Sequence, residues 1–238
     1  MTAASSGQQR PLLIVKTGST PPSIAAQWGD FEHWIRDGLG DADMTLTVVY
    51  PRVGMPLPPP AEVAGAIVTG SHSMVTDREP WSEQTALWLR EAVAVEMPVL
   101  GICYGHQLLA HAMGGEVDFH PGGIELGTIE VQLTPAAQDD PLFTGMPGRF
   151  GGQSAHRQRV RRLPPGAVRL AGNAFEPHQA YRVGRRAWGV QFHPEFGVPA
   201  TVAYVQMNAA PDSPPPPVTD TPEAASLLRR FAQLARVT

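Results

Sequence analysis

Two kinds of pattern alternate along the first hundred residues. Short apolar or β-branched runs, LLIVKTG at 12–18, MTLTVVY at 44–50, GAIVTG at 65–70 and MPVLGIC at 97–103, are nearly continuous, as strands buried on both faces are. Longer mixed segments separate them. SIAAQWGDFEHWIRDGL at 23–39 and EPWSEQTALWLREAVAVE at 79–96 read as helices, the second with Pro80 at its start and Ala86, Leu89 and Val93 on one face. This alternation predicts βα units around a parallel sheet with helices on both faces.

Beyond Gly115 the runs shorten and turns become frequent. IELGTIEVQLT (124–134), RVRRL (159–163), AVRLAG (167–172), HQAYRVG (178–184) and RAWGVQF (186–192) predict antiparallel strands attached to the parallel core. The expected fold class is therefore α/β, a three-layer α/β/α domain with a mostly parallel central sheet and a small antiparallel extension. Residues 1–10 are expected to be a flexible N-terminus and 11–210 the domain. PDSPPPPVTDTP at 211–222 is too rich in proline for a packed element and predicts an exposed, stiff loop. In 223–238 the apolar residues Leu227, Leu228, Phe231 and Leu234 make one stripe, so a last helix should dock back on the domain.

With 42% hydrophobic residues in 238, the chain can bury a sizeable core. A formal charge of −4 gives no electrostatic reason to expect nucleic acid as a partner. No apolar run approaches the roughly 20 residues that cross a bilayer, and the opening MTAASSGQQR lacks the apolar middle of a secretory signal. A cytoplasmic protein without a membrane partner is expected. Trp28, Trp34 and Trp88 fall where amphipathic helices should meet a core. Lys16 is the single lysine among 18 basic residues, a bias of composition rather than a sign of function.

The chain has one cysteine, Cys103. It can form no internal disulfide and cannot alone furnish a thiolate zinc cage, which leaves reactivity or plain burial. If MPVLGI is a strand and HQLLAHAM a helix closed by Gly114 and Gly115, Cys103 occupies the sharp turn between them, with Gly101 and Gly105 relieving the crowding. A helix N-terminus there favours thiolate and offers unpaired backbone N–H groups, notably that of Tyr104, to an oxyanion. The plainer reading is a buried cysteine acting as a small hydrophobe.

WGVQFHPEF at 188–196 bears on the choice. In an extended segment residues two apart face one side, so His193 and Glu195 project together while Pro194 stiffens the backbone. A carboxylate beside an imidazole fixes its tautomer and supports the imidazolium, as a base serving a cysteine requires. Alone, the pair could equally be a surface His and Glu; with a cysteine at a strand–helix turn, catalysis is the better reading.

GxCxGHQ followed by a distant FHPE resembles the class I, or triad, glutamine amidotransferases, and specifically their GMP synthetase-like branch, over residues 10–200. The resemblance implies a flavodoxin-like fold and a catalytic triad of Cys103, His193 and Glu195 that hydrolyses the glutamine side-chain amide through a cysteinyl thioester. It further implies an oxyanion hole from the N–H groups of Gly70 and Tyr104, and Gln107 as a substrate-holding residue. Ser154 and His156, in GGQSAHRQRV, fall in the segment that frames the substrate pocket. Two departures stand out: the loop after the third strand reads Gly70-Ser71-His72 where Gly-Gly-Pro is commoner, and the pocket segment has no aspartate after its histidine.

No cofactor is expected, and no metal, since His106, His111 and His120 have poor spacing for one helix face. The RQRVRR run at 157–162 reads as a solvated strand face rather than an acidic-partner site. No GxxxxGK[ST] phosphate loop or SGG-type nucleotide loop is present. The ammonia either goes to a separate synthetase subunit or is released by a free-standing hydrolase acting on glutamine or a γ-glutamyl compound. A non-catalytic partner-binding subunit of the same fold is the alternative from another class.

Overall fold

A computed structural model describes residues 10–42, 44–208 and 214–236. Residues 1–9 of the expected flexible terminus, 209–213, which include the start of the expected proline-rich loop, and 237–238 lie outside the described residues. Five parallel strands stand side by side in the order β2 (Leu46–Val49), β1 (Leu12–Val15), β3 (Gly65–Val68), β4 (Val99–Ile102) and β11 (Ala187–Val190). The same sheet continues antiparallel through β10 (Ala180–Val183), β9 (Val168–Gly172), β6 (Glu125–Leu133) and β7 (Arg149–His156). A separate ribbon pairs β5 (Glu116–Phe119) with β8 (Gln158–Arg162).

The continuous apolar runs are explained by two packed faces. In β1, Leu12 and Ile14 enter one hydrophobic cluster and Leu13 and Val15 the other, all four fully buried, as period-2 alternation requires. The first cluster is closed by Ile35 and Leu39 of α2 (Phe31–Leu39) and by Leu227, Leu228 and Phe231 of α6 (Pro222–Arg236). Ala86, Leu89 and Ala92 of α3 (Pro80–Ala94) and Leu108 and Leu109 of α4 (Tyr104–Ala112) close the second. Burying each such leucine or isoleucine contributes about 1.5–3 kcal/mol.

The structure differs from the sequence expectations at several points. The single helix expected over 23–39 is two, α1 (Pro22–Trp28) and α2, because Gly29 adopts φ 87° and Asp30 caps the second helix by accepting the Phe31 N–H at 2.8 Å. The break also puts Trp28 out of phase with Trp34: Trp28 is 43% exposed, whereas Trp34 and Trp88 are buried. The strands β5 and β7 and the helix α5 (Val198–Asn208) are elements that the hydrophobic pattern does not predict. Residues 214–221 lack regular structure but lie along the sheet, where the Thr219 carbonyl accepts from Gln153 Nε2 at 2.7 Å and the Pro217 carbonyl from the Thr128 N–H at 3.1 Å. No helix among the described residues is long and apolar enough to cross a membrane.

The candidate active site

Neighbouring parallel strands end at the same edge of a sheet, and in open α/β sheets that carboxyl edge is where ligands bind. Here β3, β4 and β11 are adjacent. Gly70 follows β3, Cys103 follows β4 and His193 follows β11, so three loops remote in sequence meet at one edge.

Cys103 joins β4 directly to α4 with φ 50° and ψ −98°, a conformation that costs a non-glycine residue about 1–3 kcal/mol. Hydrogen bonds on both sides hold it there: its N–H donates to the Val190 carbonyl at 2.9 Å, and its carbonyl accepts the Gln107 N–H at 3.1 Å. The flanking glycines are needed for space. A Cβ on Gly101 would collide with the Gly105 backbone, and one on Gly105 with the Val68 carbonyl. The side chain is 7% exposed and lines a cleft together with Tyr104, Gln107 and the 71–74 loop.

The His193 and Glu195 side chains meet, with Nδ1 of the histidine 2.8 Å from Oε1 of the carboxylate, both residues buried. They stand on a turn beyond β11 rather than on the strand, pinned by the His193 N–H donating to the Gln153 carbonyl of β7 at 2.8 Å. Phe196 stacks on the imidazole at 3.9 Å between centroids, and Phe31 lies parallel to both rings. Burial disfavours a charge on His193, but the Glu195 carboxylate and the hydrogen-bonded Cys103 overcome it and push its pKa up to about 10. An imidazolium beside the sulfur is the setting in which a thiolate persists.

Gly70 and Tyr104 present the two expected amides. The Thr69 carbonyl takes the Gly105 N–H at 3.2 Å and lies 2.9 Å from Thr17 Oγ1; a trans peptide directs its N–H the opposite way, so the Gly70 amide points away from these partners. A Cβ on Gly70 would stand 3.0 Å from Cε1 of His193, which places this loop against the imidazole. Tyr104 is the first residue of α4, where no intrahelical acceptor exists for its N–H. Its phenol is spoken for by Ser82 Oγ at 2.7 Å, and burial pushes its pKa up to about 12.

Gln107 lines the cleft with its amide group oriented from behind: Nε2 donates to the Gln158 carbonyl at 2.7 Å and to Gln191 Oε1 at 3.0 Å, leaving Oε1 for the cleft. The two β7 candidates separate. His156 lines the cleft, but its ring nitrogens are engaged by the Gln158 carbonyl and by Glu125, each at 2.9 Å. Ser154 does not line it; its hydroxyl lies 3.2 Å from Glu125 Oε2, because alternation along β7 turns it into the buried polar group around that carboxylate. Its side chain is not a substrate contact in this geometry.

His72, Tyr204 and Asn208 also line the cleft, and sequence reasoning assigned them no role. The helical spacing of Ala200, Tyr204 and Asn208 in α5 was the available signal. His106, His111 and His120 go to three different places: under Gly189 of β11, against Glu83 on the surface, and stacked on Phe175. Among the described residues no group of three or more His, Cys, Asp or Glu side chains is arranged to hold a metal ion.

A strained cysteine at the carboxyl edge of a parallel sheet, a buried imidazole–carboxylate pair and two outward amides define an α/β protein equipped for acyl transfer through a thiol. Residues 28–204 match the model of the family described as glutamine amidotransferase class-I, and the chain belongs to that family. It is 33% identical to the glutamine-hydrolyzing subunit of the GMP synthase of Archaeoglobus fulgidus, over 74% of this chain and 91% of that one. It is 37% identical to the glutamine-hydrolyzing GMP synthase of Thermomicrobium roseum over 55% of this chain, but the match spans only 23% of that longer protein. In fold it resembles a glutamine amidotransferase from Methylobacillus flagellatus, with a TM-score of 0.75, 24% identity and coverage of 96% and 93% of the two chains.

Proposed function

We propose that this protein is a glutaminase that passes ammonia to a separate synthetase subunit of the GMP synthetase type, in the cytoplasm. The Cys103 thiolate attacks the side-chain carbonyl carbon of glutamine, and the oxygen, now an oxyanion, accepts the N–H groups of Gly70 and Tyr104. As the C–N bond breaks, the electron pair goes to nitrogen, which takes a proton from the His193 imidazolium and leaves as ammonia. His193, now neutral, removes a proton from water; the hydroxide adds to the thioester carbon, the C–S bond breaks, and glutamate leaves while sulfur departs as thiolate. Glu195 keeps the imidazole in the right tautomer and supports its charge, and Gln107 Oε1 accepts a hydrogen bond from the substrate.

The observation that carries this reading is the convergence of Cys103, His193 and Glu195 from two strand ends. The likeness to a GMP synthase chain that carries only the glutamine-hydrolyzing part, matched over nine-tenths of its length, supports a separate synthetase as acceptor. The test is ammonia release from glutamine and from a panel of γ-glutamyl compounds. Glutamine should be the best substrate, and Cys103→Ser should abolish turnover with the fold intact, since a hydroxyl is a far weaker nucleophile at neutral pH. Turnover surviving in Cys103→Ser, or none from any γ-glutamyl compound, overturns the proposal.

A further inference from the structure

His72 stands where the family more commonly has proline, and the glutaminase mechanism gives it nothing to do. It lines the cleft that also exposes Cys103. Its ring is held on one side: Nε2 lies 3.2 Å from the Tyr204 hydroxyl, itself 3.0 Å from Thr20 Oγ1, and the His72 and Tyr204 rings are parallel to within 3°. Tyr204 packs on Phe196, and Phe196 stacks on His193. The four rings thus form one wall, with the proton donor for the departing nitrogen at one end and His72 at the other.

The geometry of the reaction fixes which part of the substrate meets that wall. With the acyl carbon above Cys103 and its oxygen toward the Gly70 and Tyr104 amides, the departing nitrogen must be within reach of His193. We infer that His72 is a specificity residue for the leaving group: its Nδ1 accepts a hydrogen bond from the substrate's primary amide, and its ring denies space to a substituent on that nitrogen. A leaving NH2 offers only hydrogens, so the productive tautomer carries its proton on Nε2, donating to Tyr204. Burial and the neighbouring His193 charge hold the His72 pKa below its ordinary value, which keeps this imidazole neutral and able to accept. The inference rests on the glutaminase reading and narrows it, from γ-glutamyl compounds in general to those with an unsubstituted amide.

The experiment compares kcat/KM for glutamine and for γ-glutamyl ethylamide in wild type, His72→Ala, His72→Asn and Tyr204→Phe. Wild type should prefer glutamine, and His72→Ala should shift the ratio toward the ethylamide by about tenfold or more, the scale on which a pocket wall discriminates small apolar groups. His72→Asn, whose side-chain oxygen can replace Nδ1, should keep most of the preference; Tyr204→Phe, which frees the ring, should lose part of it. Equal use of both substrates by wild type overturns the inference, as does an unchanged ratio in a folded, active His72→Ala enzyme. If His72→Ala does not fold, an unchanged ratio in Tyr204→Phe decides against it. Should wild type release nothing from either compound, the hydrolase reading itself fails, and this inference with it.

Discussion

Replacing Glu195 with glutamine removes a charge while leaving a side chain of the same shape that can still accept the Nδ1–H of His193. The size of the effect follows from the geometry. The carboxylate is buried, its Oε1 lies 2.8 Å from Nδ1, and Oε2 has no hydrogen-bond partner among the described residues, so its field acts chiefly on the imidazole. Unit charges about 4 Å apart at an effective dielectric of about 20 interact by about 4 kcal/mol, and a hydrogen bond to a charged group is worth about 1.5–3 kcal/mol; these overlap, so the loss should be about 2–4 kcal/mol. At 1.36 kcal/mol per decade, kcat/KM for ammonia release should fall about 30- to 1000-fold. A second readout is independent of turnover. Because the folded pKa of His193, about 10, lies above its ordinary 6.5, the charged imidazole stabilises the fold fully below pH 6.5 and that contribution is lost as pH rises toward 10. In Glu195→Gln the imidazole should titrate at lower pH by NMR, and the alkaline decline in thermal stability should flatten. Activity within about threefold of wild type, under 1 kcal/mol, would assign the third triad role to another residue.

Two further outcomes follow from strain and from burial. Cys103→Gly should be more stable than Cys103→Ala by about 1–2 kcal/mol, the reverse of the usual order, because at φ 50° only glycine is relieved of the Cβ clash; thermal unfolding in which alanine equals or exceeds glycine would show that the turn stores no strain. Lys16 Nζ lies 2.7 Å from both Asp30 and Glu32 in a largely buried cluster, so Lys16→Met should cost about 3–5 kcal/mol by stranding carboxylates. Burial works against the Asp30 charge, but Lys16 and the Thr20 and Phe31 amides hold its pKa below the ordinary 3.8, so its contribution is present above that pH and lost below it. Acid unfolding of Lys16→Met should therefore begin at higher pH than in wild type; an unchanged acid midpoint would deny the cluster its role.

The parallel core was legible because each of its strands is buried on both faces, which writes an unbroken apolar run into the sequence, as in Leu12, Leu13, Ile14 and Val15. The antiparallel half was less so. RFGGQSAH, which became β7, carries two glycines and three polar residues, and its strand character comes from pairing with β6 along its whole length rather than from its own composition. The nucleophile turn could be read from Gly101 and Gly105 because crowding around a strand–helix junction leaves a local imprint. Cleft residues on α5 and the loop after β3 could not, since Tyr204 and His72 acquire their meaning from each other across 132 positions. Ser154 shows the converse: a motif position can match while the alternation of the strand turns its hydroxyl to the buried Glu125.

The order of strands, more than any single residue, makes the site possible. In chain order β4 and β11 are separated by about half the molecule, yet in the sheet they are neighbours in register, Ile102 beside Val190. Cys103 and His193 follow those two residues by one and three positions, and the Cys103 N–H bonds to the Val190 carbonyl, so the strand ladder itself sets the distance between sulfur and imidazole. Rigid main-chain pairing of this kind can hold a side chain at φ 50° that would relax in an isolated turn. The imidazole needs more support, because it stands beyond the ladder; Phe196 and Phe31 stack beside it, and Phe31 begins α2 because Asp30, gripped by Lys16, caps that helix. The lone lysine, in the sequence a mere matter of composition, thus reaches His193 through a helix cap and two aromatic rings. Damage to the Lys16 cluster should loosen the imidazole before it unfolds the sheet.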